Sequence, residues 1–191
     1  MALVLTSGPA SEPVTVAEAK AHLRVDATQE DTLIASLILT SRLHVEAALG
    51  LALITQSWRV LLDRWPPEKD VELPLRPLQS IAAVRVLPAE GAAVVIDAAN
   101  YLADTASVPP RLVRTGVIWR QPGKAANGIE IDLTAGYGDD ASDVPAPVRQ
   151  ALLLLIAHWY ERREPIEVGS PDTMVPAAVS DLLEPYRLRR L

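Results

Sequence analysis

Apolar residues recur at helical spacing near both ends of the chain and at strand spacing in between. Leu33, Ile34, Leu37, Ile38, Val45, Ala48 and Leu49 fall on one stripe of a helix of about 20 residues. Thr28 is placed to cap it, Glu30 and Asp31 suit the positive end of its dipole, and Gly50 suits its stop. Upstream, Thr15-Val16-Ala17-Glu18 predicts a capping box that opens a shorter helix from Val16 to Leu23. The period then changes. Trp58, Val60 and Leu62 alternate with their neighbours, and Trp65-Pro66-Pro67 breaks the run. A short extended piece runs from Val71 to Leu75. Ile81–Leu87 and Ala92–Ile96 flank a hairpin turn at Pro88-Ala89-Glu90-Gly91. Tyr101–Ala103 and Leu112–Arg114 add short strands. Asn127-Gly128 marks a turn before Ile129, Ile131, Leu133, Ala135 and Tyr137, the clearest alternation in the chain. Prolines at 145 and 147 lead into another helix ending near Arg163, with Ala151, Leu152, Leu155, Ile156 and Trp159 as its core stripe.

These elements predict an α+β fold: a small bundle of three main helices with a β-rich insert and a C-terminal tail. The expected division is an N-terminal helical part at 1–51, the insert at 52–138, a helix at 139–164 completing the helical domain, and a linker and tail at 165–191. At 49% hydrophobic the chain can fill a core, but with no Phe it must do so with aliphatics, four Trp and four Tyr. Sixteen prolines against nine glycines predict stiff connections.

Charge and cysteine content narrow the chemistry. Eighteen Lys and Arg against 24 Asp and Glu leave a net charge of −6, which argues against a general nucleic-acid binder. With no cysteine, thiol catalysis and Cys-ligated metals are excluded. The first residues lack the basic lead of a signal peptide, and the longest apolar run in the body, Ala151–Ala157, is short for a spanning helix. The expectation is a soluble protein without a membrane partner. His44-Val45-Glu46 lacks the Pro-Cys-x-x-Cys that a zinc deaminase needs. His158 and Glu161, one turn apart, lack the further ligands of a di-iron bundle. Gly138-Asp139-Asp140 reads as a polar loop before a helix. No phosphate-binding glycine loop and no nucleophile elbow is present. The reading is a non-enzyme with no catalytic residue, cofactor or metal.

The last residues stand apart from this acidic background. Val175–Leu191 reads as a short amphipathic helix followed by Tyr-Arg-Leu-Arg-Arg-Leu, with three arginines among the last five positions. A lone short helix is marginal in water. Such a segment either packs on its own domain or docks on a partner.

Three blocks of sequence resemble a known family. Pro13-Val14-Thr15-Val16-Ala17-Glu18-Ala19-Lys20-Ala21-His22-Leu23-Arg24 is similar to the opening of tailed-phage head–tail connector, or adaptor, proteins, as is Glu30-Asp31-Thr32-Leu33-Ile34. His44-Val45-Glu46 and Leu53-Ile54-Thr55-Gln56-Ser57-Trp58 follow. The third block comprises Thr134-Ala135-Gly136-Tyr137-Gly138, then Asp143 to Ala151, then His158 to Glu164. Similar proteins occur in gene transfer agents, and the Ala-, Arg- and Pro-rich composition suits that source.

The resemblance implies structural work in the neck of a phage or gene transfer agent particle assembled in the bacterial cytoplasm. Adaptors of this family form a ring, typically a dodecamer, below the portal protein; the ring extends the DNA channel and meets a tail-side stopper or tail-terminator protein. DNA passes through without specific binding. The resemblance implies a portal-binding tail, with Leu182, Leu183, Tyr186, Leu188 and Leu191 as apolar anchors and Arg187, Arg189 and Arg190 pairing with portal groups. Neighbouring subunits need complementary faces. Glu30, Asp31, Arg42 and Glu46 on the long helix, with Glu161, Arg162, Arg163 and Glu164 at the end of the later one, are the candidates. Two other readings remain at this stage: a tail-terminator or head-completion factor, and an interaction domain with no role in a particle.

Overall fold

Thr15 and Glu18 form the capping box that their spacing predicts. The Glu18 amide donates to the Thr15 hydroxyl at 3.2 Å, and the Thr15 amide donates to the Glu18 carboxylate at 2.8 Å. This start belongs to a computed structural model that describes residues 1–68, 70–115, 119–162 and 175–188. Among the described residues there are four α-helices and two antiparallel sheets, an α+β fold divided into two compact units. One unit takes Met1–Ala10 and Gly50–Tyr137; the other takes Ser11–Leu49 and Gly138–Leu191.

The helical unit contains α1 (Val16–Leu23), α2 (Asp31–Leu49), α3 (Ala146–Glu161) and α4 (Ala177–Leu183). α1 and α3 pack on α2, and α4 packs on α3. Thr28 does not cap α2 as expected, because it opens a 3-10 turn over Thr28–Glu30 that leads into the helix. Gly50 does end it, in the left-handed region at φ 64°, which a residue with a Cβ adopts only with strain. The core of this unit includes Ala19, Ile34, Ile38, Val45, Val148, Leu152, Leu155 and Ile156. The α2 stripe is rotated from the expected one. Leu33 and Ala48 are exposed, while Ser41, Arg42 and Glu46 are buried.

The β unit holds β1 (Ala2–Ser7), β2 (Gln56–Leu62), β3 (Asp70–Glu72), β4 (Leu78–Val86), β5 (Val94–Ile96), β6 (Tyr101–Asp104), β7 (Arg111–Arg114) and β8 (Ile129–Ala135). The larger sheet has the order β1-β2-β8-β4-β5, and the smaller β3-β7-β6. In the centre Val60 pairs with Ile131, and Ile131 with Val84; all three are fully buried. β8 alternates buried and half-buried residues along its length, as its sequence predicts. Gly136 follows it at φ 144°, where an added Cβ would lie 2.6 Å from the Thr55 amide nitrogen. With no Phe available, Trp65 and Trp119 fill the core edge to face, with ring centroids 4.8 Å apart. The Trp65 indole N–H donates to the Arg120 carbonyl at 3.0 Å. Residues 1–10, read from sequence as part of the helical domain, instead supply edge strand β1 on β2.

Candidate functional site

The charges of α2 are committed within the chain. The Arg42 guanidinium donates to Glu12 at 2.7 Å and to Glu46, one turn on, at 2.8 Å. Arg42 and Glu46 are only 5% and 8% exposed. Asp31 pairs with Lys20 at 2.6 Å, and Glu30 accepts a hydrogen bond from the Tyr160 hydroxyl. These four residues were expected to face a neighbouring copy. All four are paired within the helical unit; Arg42 and Glu46 lie on the buried side of the helix, whereas Glu30 and Asp31 are only half-buried. Glu161 and Arg162 lie exposed at the end of α3. Arg163 and Glu164 fall outside the described residues. Arg149 of α3 reaches back to α1, donating to the Glu18 carboxylate and to the Pro13 carbonyl. The hydrogen bond from the Thr15 backbone, with smaller help from its hydroxyl and from Arg149, outweighs burial and holds the Glu18 carboxyl below the usual range.

The C-terminal segment divides in two. α4 buries Val179 and Leu183 against α3, so Leu183, expected as a portal anchor, is part of the unit's own core at 7% exposure. Packing of this i, i+4 pair is what stabilises so short a helix. Leu182 and Tyr186 are half-buried. Beyond them the surface opens. Arg187 is exposed beside Glu184 at 3.5 Å, and Leu188 is 45% exposed. Arg189, Arg190 and Leu191 lie outside the described residues.

The sequence strings that imitate catalytic motifs have local roles. His44 packs edge-on against Trp159, with ring centroids 5.7 Å apart; Trp159 is half-buried rather than the core residue expected. Asp140 and Asp143 cap the 3-10 turn that precedes α3. Among the described residues no group of three metal-ligating side chains occurs. One charged cluster escaped sequence reading. On the polar side of β8, Asp132 accepts from Arg59 at 2.6 Å and from Arg85 at 2.5 Å. Burial raises the Asp132 pKa, but the two guanidiniums outweigh it, and the carboxyl lies below its ordinary range. Alternation sets Arg59 and Asp132 apart from the apolar positions of their strands; only the strand order brings Arg85 beside them.

The C-terminal part of the β unit, α3 and α4 also answer to a known pattern: residues 121–187 match the model of the phage gp6-like head-tail connector protein family. The chain as a whole is similar to chains in solved structures of gene transfer agent particles. A chain from the neck of an empty gene transfer agent (GTA) particle, computed with C6 symmetry, is 28% identical over 100% of this chain and 97% of that one, with a TM-score of 0.83. A chain from the virion of a native GTA particle is 26% identical at the same coverage, with a TM-score of 0.85. A third, from the neck of a native GTA particle computed with C12 symmetry, is 27% identical with a TM-score of 0.80. No curated protein matches the chain.

Proposed function

We propose that this protein is a structural head–tail adaptor that joins capsid to tail in the neck of a phage-like particle of the gene transfer agent type. The observation that carries this is the likeness to GTA neck chains along the whole length of both partners, together with the match to the connector family at 121–187. A structural role does not ask for a catalytic constellation. In the finer reading, twelve copies form a ring below the portal protein, and the ring meets a stopper or tail-terminator protein on its other side. The C12 symmetry of one related neck supports that copy number. The net charge of −6 supports a conduit through which DNA passes without sticking, since phosphate binding is driven by Lys and Arg. The proposed contact with the portal is the last part of the C-terminal segment, in which Arg187 and Leu188 are exposed. Deleting the gene in cells that make the particles tests the function. DNA-filled heads and free tails are expected to accumulate unjoined, and normal particles would contradict the role.

A further inference from the structure

α2 is built against the rule for a surface helix. Water-facing helix positions ordinarily carry the charges, and buried charges are costly. Here Arg42 and Glu46 are buried, whereas the exposed positions between Thr32 and Ala48 are Thr, Leu, Ala, Ser and His. No Asp, Glu, Lys or Arg faces water along about four turns. Leu39 and Leu43 are 43% and 51% exposed, and with Ala35 and Ala47 they form an i, i+4, i+8, i+12 ridge. Such a face is made to be covered.

Lipid is a poor occupant. Residues Thr28–Leu49 are long and apolar enough to pass for a membrane span. However, the opposite side of the helix carries the Arg42–Glu46–Glu12 cluster and packs on α1 and α3. An interfacial helix would also flank its apolar face with Lys and Arg. Size bears on a protein occupant. At 1.5 Å per residue the charge-free face from Thr32 to Ala48 is about 25 Å long, and at about 10 Å wide it offers on the order of 250 Å². A stable binary contact takes roughly 800 Å² per partner. So small a face fits a partner that is presented repeatedly in one orientation. Copies related by the C6 or C12 symmetry of the similar necks are presented in that way, each meeting the next through two unlike faces of one chain.

We propose that the α2 ridge of Ala35, Leu39, Leu43 and Ala47 is the lateral face by which one copy docks on the next in the ring. This rests on the adaptor reading above and replaces the charged residues of α2 as the subunit contact. The absence of cysteine allows a direct test, because Leu43→Cys introduces a unique thiol. A benzophenone maleimide attached there is irradiated in purified particles. The expected product has twice the subunit mass and yields peptides of this chain alone. Crosslinking to a different protein or to lipid, or no product, overturns the proposal. A second arm uses the doubly substituted Leu39→Lys, Leu43→Lys chain. It should unfold at the wild-type temperature yet appear in particles at less than a tenth of the wild-type level. Entry at the wild-type level defeats this inference and leaves the adaptor reading standing. If the wild-type chain is itself absent from particles, the adaptor reading falls and this inference with it.

Discussion

Leu155 and Trp159 lie one turn apart on α3 but differ in environment. Leu155 is fully buried, whereas Trp159 is half-buried with its ring edge-on to His44. Truncating a buried leucine leaves a cavity, so Leu155→Ala should cost about 2–5 kcal/mol. Trp159→Ala should cost about 1–2 kcal/mol, below the range for a fully buried large aromatic, because part of its surface already meets water. Urea unfolding of the two variants checks the order; a larger loss at Trp159 would contradict it. Asp104 offers a second test at this scale. Hydrogen bonds from the Ser107 hydroxyl, Arg111 and the Ser107 amide lower its pKa from 3.8 to about 2. A depressed folded pKa contributes stability that is present above the unfolded value and is lost as pH falls toward the folded one. The turn between β6 and β7 should therefore hold at pH 5 and loosen between about pH 4 and pH 2. A carboxyl titration by NMR should place the Asp104 midpoint near 2; a midpoint at the ordinary value would mean the turn does not form.

At the scale of elements, α4 is the packed part of the C-terminal segment, and Arg187 and Leu188 beyond it are exposed. Leu183→Ala, which opens a cavity against α3, should cost about 2–4 kcal/mol, whereas Leu188→Ala should leave unfolding unchanged. Deleting residues 187–191 should likewise preserve the melting temperature but abolish retention on immobilised portal protein. Undiminished retention would sink the docking role of the tail. The elements that sequence identified are those with local signals. The Thr15–Glu18 box, the Gly50 stop and the alternation of β8 each reside within a few residues of chain. What sequence missed depends on partners far away. β1 is a strand only because Val4 and Leu5 lie against Arg59 and Trp58. Arg42 points inward because Glu12, thirty residues earlier, helps to satisfy it. Arg59, Asp132 and Arg85 form a cluster only once β2, β8 and β4 are ordered side by side. The tail was legible as a choice between packing and docking, and the structure shows the packing of Val179 and Leu183.

For the whole molecule, two units of different class share one chain, and the chain crosses between them near residues 10, 50 and 137. Among the described residues two exposed surfaces fit the proposed role. One is the charge-free ridge of α2, and the other is the end of the C-terminal segment at Arg187 and Leu188. An adaptor needs such surfaces, one for its neighbours and one for the component above. The small area of the ridge further predicts a monomer or weak oligomer in isolation at micromolar concentration, with the ring completed on a template that raises the local concentration of copies. Cryo-EM of particles from cells producing an epitope-tagged chain tests the role most directly. Density for a closed ring of this chain at the neck, between capsid and tail, is the predicted result; particles with intact necks and no copy of the chain would contradict it.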